Sequence, residues 1–287
     1  MKRVLIATEK PFAPVAVDQI TGIFANAGFE TQKLEKYASK AELLAAVKNA
    51  DALIVRSDIV DREVLDAAHN LKVVVRAGAG FDNLDLVSCT EKNVVAMNTP
   101  GQNSNAVAEL AIGMMIFMSR GQFAGGAGTE LKGKTVGVYG CGNIGRRVAR
   151  IAQGLAMHVV ALDPCITKVS MEPYDVKVVQ SVEELFATSE FLSLHIPLNE
   201  KTKNSINFEL LNKMPKGGML INTARKEVID EEGLKQTFEM RPDFRYVTDI
   251  LPSNHEELKA KYGIRYFSTP KKQGAETSEA NVNAGVA

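Results

Sequence analysis

A chain of 287 residues, 45% hydrophobic and 24% charged, is long enough for two folded cores and too apolar to be disordered. Its 34 basic residues balance 34 acidic ones, which excludes a general affinity for nucleic acid or an anionic membrane and confines any basic site to a local patch. Three cysteines without metal-ligand or CxxC spacing read as buried, reduced thiols of a cytoplasmic protein, with no disulfide frame and no metal site.

In chain order, MKRVLIATEK is interrupted by Glu9 and Lys10 too early for a signal peptide. VLIAT (4–8), ALIVRS (52–57), VVVRAG (73–78) and VVAMNTP (94–100) read as strands, with helical stretches such as AELLAAVKNA between them. The stretch 103–120 reads as a long connecting helix. Its greasy part, ELAIGMMIFMSR, covers only about half of a roughly 20-residue membrane span. A glycine-rich segment, 121–133, follows. TVGVYG (135–140), HVVALDP (158–164), FLSLHIP (191–197), GGMLINTA (217–224) and FRYVTDI (244–250) form a second strand set, mostly apolar throughout, as strands buried on both faces are. The last residues, SEANVNAGVA, read as helix. The expected fold class is α/β: two Rossmann-like doubly wound parallel-sheet domains with a cleft between them.

Gly140, Gly142 and Gly145 form G-x-G-x-x-G directly after a strand and before a helix, with Asn143 and Ile144 between the last two glycines. Gly140 permits the turn, Gly142 lets a pyrophosphate approach the backbone, and Gly145 lets the helix pack on the strand, while amides at the helix start face the anion. Asp163 ends the next strand at the distance expected of an acid for the adenosine ribose hydroxyls. Pro164, Cys165 and Ile166 follow it, with no arginine for a 2′-phosphate. NAD is therefore expected over NADP.

RAGAGFDNLD (76–85), NTPGQNSNAVAE (98–109), the fingerprint, SLHIPL (193–198), INTARKEVIDEEGL (221–234) and TPKKQGAET (269–277) together resemble the D-isomer-specific 2-hydroxyacid dehydrogenases over nearly the whole chain. Within that family the chain is most similar to the short phosphoglycerate dehydrogenases, which implies oxidation of D-3-phosphoglycerate to 3-phosphohydroxypyruvate at the start of serine synthesis. The resemblance implies a discontinuous substrate-binding domain, 1–98 with 270–287, around a nucleotide domain, 99–269. It implies a homodimer joined through the nucleotide domains, with 103–120 near the junction. The sequence stops at Ala287, inside a helical stretch where relatives usually continue, and the expectation for this length is a form without the C-terminal regulatory domain of longer relatives, whether the end is natural or shortened.

By the same resemblance Arg225 grips the substrate carboxylate and keto oxygen, a task suited to a planar guanidinium. Ala79 and Gly80 form a carboxylate-binding turn, Asn105 is a neighbouring contact, Ser57 is a further substrate-binding residue, and Arg56 and Arg76 hold a distal phosphate. Arg56 and Arg76 could equally pair with Asp58 and Asp82. His195, Pro197 and Thr202 surround the cofactor ribose and pyrophosphate. Thr223 and Ala224 lie near the nicotinamide, Asp249 takes its carboxamide, and Gly274 and Ala275 are further cofactor-binding residues.

The family pattern Pro-His-x-Gly-Ala, whose histidine is the acid and base, is absent. Its position falls on Lys272, with one extra residue after Pro270, and the partner glutamate falls near Asn254, with Glu256 reachable only by a shifted loop. Either Lys272 replaces the histidine or the site is inactive. At its reference pKa of about 10.4 a lysine is a poor base but a ready proton donor in the reductive direction, so an alkaline optimum is expected for oxidation. Lys271 is expected to face solvent. Two other functions remain open: a glyoxylate or hydroxypyruvate reductase, which would not need the phosphate arginines, and an inactive NAD(H)-sensing interaction protein.

Overall fold

The computed structural model describes residues 1–165 and 176–287 and divides into two compact units, Met1–Asn103 with Glu276–Ala287, and Ser104–Ala275.

In the first unit, β1 (Arg3–Thr8), β2 (Glu30–Glu35), β3 (Ala52–Val55), β4 (Val73–Arg76) and β5 (Val95–Asn98) form one sheet in the order β2-β1-β3-β4-β5, parallel throughout. Its helices are α1 (Pro14–Asn26), α2 (Lys40–Val47), α3 (Arg62–Ala67) and α4 (Leu86–Glu91). Their starts are written locally: Pro14 opens α1, Ser39 and Glu42 form a capping box on α2, and the Asp61 and Asp85 carboxylates accept from Val64 N–H and Ser88 N–H. The C-terminal helix Ser278–Val286, capped by Thr277, packs on α1 so closely that a Cβ on Gly285 would lie 2.9 Å from Ile20 Cδ1.

The second unit begins with α5 (Ser104–Ser119). Its strands are β6 (Thr135–Tyr139), β7 (His158–Leu162), β8 (Lys177–Val178), β9 (Phe191–Leu194), β10 (Met219–Asn222), β11 (Arg245–Thr248) and β12 (Tyr266–Ser268), in the order β12-β11-β10-β9-β6-β7-β8. All pairings are parallel. β9 and β10 are buried at every position, the signature of central strands covered on both faces. Met114, Met115 and Met118 of α5 join the core on one face, together with Val148, Ala149 and Ala152 of α6 (Asn143–Gly154). The strand order reverses between β6 and β9, which is where a doubly wound sheet opens its ligand crevice.

The unit boundaries fall a few residues later than the sequence suggested. Gln273 and Gly274 N–H donate to Asp249 Oδ2 at 3.2 and 2.8 Å, which ties their segment to the end of β11. The expectation for the cysteines is corrected at one position: Cys89 and Cys141 are buried, but Cys165 is exposed because it lies in the turn beyond β7. Among the described residues no helix is long and apolar enough to cross a membrane.

Candidate active site

The fingerprint turn joins β6 to α6. Gly140 takes φ 92°, and a Cβ there would lie 2.8 Å from the His195 backbone, so the turn can hug the end of β9 only as glycine. A Cβ on Gly145 would come within 2.0 Å of Gly140 O. At Gly142 a Cβ would meet nothing within 4 Å, and this residue caps α6 without offering a side chain to its first amides. Asn143 and Ile144 follow at the helix start. The Asp163 carboxylate accepts from Cys141 N–H at 2.7 Å and from Cys165 N–H at 2.8 Å, bracing the turns after β6 and β7 and retaining acceptor capacity. Pro164 is exposed, and Ile166 lies outside the described residues.

Three neighbouring strands, β9, β10 and β11, end in polar atoms that are buried without a hydrogen-bond partner: His195 Nδ1, Thr223 Oγ1 and Asp249 Oδ1. Such atoms are costly and few in folded proteins. Burial pulls the His195 pKa from 6.5 to about 3, so its ring stays neutral near pH 7 and is too weak a base for proton abstraction. Its Nε2 lies 2.9 Å from Ser193 Oγ. Burial raises the Asp249 pKa, while one oxygen is held by the Gln273 and Gly274 amides. Thr202 Oγ1 donates to Pro197 O at 2.6 Å and accepts from Asn199 N–H at 2.9 Å, folding that loop beside the end of β9. A dinucleotide fits this set: Gly142 and the α6 amides could take a pyrophosphate, Asp163 ribose hydroxyls, and Asp249 Oδ1 an amide donor.

After β10 the chain makes a tight turn braced by one side chain. Asn222 Oδ1 accepts from Ala224 N–H at 3.0 Å, and its Nδ2 donates to Arg225 O at 3.0 Å. Asn222 is fully buried, and this clamp was invisible in the sequence because it acts between residues of one turn. At the head of that turn two cations converge: Arg225 Nη1 donates to Ala224 O at 2.9 Å and Lys272 Nζ to the same oxygen at 3.1 Å. Two positive groups sharing one acceptor could take an anionic, oxygen-bearing ligand. Lys272 and Lys271 are both exposed; Lys271 contributes its carbonyl to Thr269 Oγ1 at 2.7 Å. Gly274 is buried against Asp249 and Val107, and Ala275 is half-buried. Asn254 caps the helix His255–Tyr262 with its own Oδ1 buried and unpartnered. Glu256 projects into solvent, its side chain 90% exposed.

In the first unit Arg56 follows β3 and Arg76 ends β4. Arg56 donates to Lys10 O, Pro11 O and Asn281 Oδ1 at 3.3, 3.0 and 2.5 Å and lies over the Phe12 ring. Asp58 is occupied by Tyr37 Oη–H and Glu9 N–H, each at 2.7 Å. Arg76 Nε donates to Arg56 O at 2.9 Å, and its guanidinium folds over Gly78, where a Cβ would lie 1.6 Å from Nη1. Ser57 is exposed, and Ala79 and Gly80 are half-buried in a turn held by Asn98 Nδ2, which donates to Ala79 O at 2.7 Å. Asn105 is exposed and gives its amide to Glu109 at 2.6 Å. It is Asn103, unremarked in the sequence, that has a buried unpartnered Oδ1.

Comparison with known proteins matches residues 111–269 to the model of the D-isomer specific 2-hydroxyacid dehydrogenase NAD binding domain. The crystal structure of NAD+-bound 3-phosphoglycerate dehydrogenase of Entamoeba histolytica is similar with a TM-score of 0.90 and 47% identity, over 99% of this chain and 92% of that one. D-3-phosphoglycerate dehydrogenase of Methanocaldococcus jannaschii is 36% identical over 86% of this chain and 50% of its own. Hydroxypyruvate reductase of Thermotoga maritima is 35% identical over 90% of this chain and 88% of its own. The chain thus spans about half the length of several curated phosphoglycerate dehydrogenases that it matches. The matched NAD-binding domain coincides with the strand ends that carry the open fingerprint and the unpartnered polar atoms, and the chain belongs to the D-isomer-specific 2-hydroxyacid dehydrogenase family, with NAD as its cofactor.

Proposed function

We propose that the chain oxidises D-3-phosphoglycerate to 3-phosphohydroxypyruvate, with Arg225 binding the substrate and Lys272 moving its proton. The observation that carries this reading is the convergence of Arg225 and Lys272 on Ala224 O. Bound NAD supplies the acceptor for the hydride leaving C2. Arg225 holds the carboxylate and polarises the C2 oxygen, and Lys272, once its ammonium has released a proton to solvent, takes the hydroxyl proton as a neutral amine while the C2–O double bond forms. In the reverse direction its ammonium returns that proton to the keto oxygen. The reading assigns Arg56 and Arg76 to the phosphate, and Ser57, Ala79, Gly80 and Asn105 to the remaining substrate contacts. Gly142, Asp163, His195, Thr223 and Asp249 go to the cofactor.

One observation favours a second reading. Arg56 already serves Lys10, Pro11 and Asn281, and a hydroxypyruvate reductase would not need it for a phosphate. NADH oxidation with 3-phosphohydroxypyruvate, hydroxypyruvate and glyoxylate separates the two. The proposal expects kcat/KM to be about tenfold or more higher for the phosphorylated substrate; a preference for hydroxypyruvate moves the assignment to the reductase. Tight NADH binding without turnover of any of them would mean a sensing protein. The same reading places the enzyme in the cytoplasm, at the start of serine synthesis, as a homodimer, which sedimentation equilibrium tests.

A further inference from the structure

Asn281 is a poor helix former placed inside the C-terminal helix, and its side chain bonds Arg56, 225 positions away in the chain. Two further contacts hold the helix in place. Thr99 Oγ1 donates to Ala284 O at 3.3 Å, and Gly285 lets the helix close on Ile20 and Phe12. The Phe12 ring in turn lies 5.4 Å beneath the Arg56 guanidinium. Asn281 Oδ1, Lys10 O and Pro11 O together take three guanidinium hydrogens. Among the described residues they leave Nε–H and one Nη2–H of Arg56 for a ligand.

We infer that Asn281 is a positioning residue for phosphate recognition: the C-terminal helix clamps Arg56 through the Asn281 amide so that its remaining donors meet a substrate phosphate. This rests on the reading that Arg56 binds that phosphate. Clamping removes the rotamer freedom of a long side chain before the ligand arrives, which strengthens binding by preorganisation and leaves the chemical step alone.

The test is a double-mutant cycle on the full chain, using Asn281→Ala, Arg56→Met and the pair, read as KM and kcat for 3-phosphohydroxypyruvate with hydroxypyruvate as the unphosphorylated control. The expected result is a rise of about tenfold in KM for the phosphorylated substrate in Asn281→Ala, carried by KM much more than by kcat. In the Arg56→Met background the same change should add less than about twofold. If Arg56→Met raises this KM while Asn281→Ala does not, or if the two effects multiply, the clamp is wrong and the phosphate reading stands. If Arg56→Met leaves the KM unchanged, the phosphate reading fails and takes the clamp with it.

Discussion

Both units are parallel doubly wound sheets, yet the ends of their strands are finished differently. Beyond β1 and β3, at the switch point of the first sheet, the polar groups largely satisfy one another: Arg56 caps the Lys10 and Pro11 carbonyls and Asn281, and Asp58 takes Tyr37, Glu9 and its own neighbour Arg56 N–H. Thr8 Oγ1, buried at the end of β1, is an exception. Beyond β9, β10 and β11 of the second sheet, His195, Thr223 and Asp249 each keep an unpartnered buried atom around an open fingerprint. The first sheet thus ties most of these groups to its own chain, keeping two Arg56 donors over, and the second leaves buried acceptors and donors for a dinucleotide to meet. A buried polar atom without a partner costs about 1–3 kcal/mol, so a ligand that bonds these three atoms would offset part of that cost.

A large expected effect sharpens this contrast at the substrate end. Arg225→Ala should lower kcat/KM by about 10²- to 10³-fold while leaving NADH affinity, read by its fluorescence, within about twofold. An equal loss of NADH affinity would make Arg225 a structural residue of its turn. A smaller effect separates two glycines of one motif. In Gly145→Ala the new Cβ would press to 2.0 Å from Gly140 O, and melting should drop by roughly 5 °C or more. Gly142→Ala meets nothing in the protein and should melt normally while binding NADH about tenfold more weakly. If both variants melt alike and bind alike, the open space at Gly142 is not the pyrophosphate site.

The smallest effect concerns pH. The folded pKa of His195 is lowered to about 3 from 6.5, so its contribution to stability is fully present above pH 6.5. It is lost as pH falls towards 3, because only the unfolded chain takes up the proton. Melting of the NAD-free protein should therefore decline through this window, and His195→Gln should flatten the decline. An unchanged slope in that variant would mean that the ring is protonated in the folded chain.

The central strands were legible because burial on both faces writes a mostly apolar run, as in FLSL and MLIN. β2, Glu30–Glu35, was not: as an edge strand with polar residues at most positions, it carries no core signal. β8 and β12, of two and three residues, were too short to show a period. The fingerprint was readable because each glycine answers a local demand. The clamp of Asn222 on Arg225, the hold of Asn281 on Arg56, and the buried, unpartnered Oδ1 of Asn103 were not, since each depends on how distant or bent segments meet.

The most direct test of the account is amine rescue of Lys272→Ala, followed as NADH oxidation with 3-phosphohydroxypyruvate. If Lys272 Nζ, seated on Ala224 O beside Arg225, transfers the proton, kcat should fall by about 10²- to 10⁴-fold with NADH affinity retained, and added ethylamine should restore part of the rate in proportion to its ammonium concentration. Wild-type turnover in the variant, or a loss that no amine relieves, would contradict it.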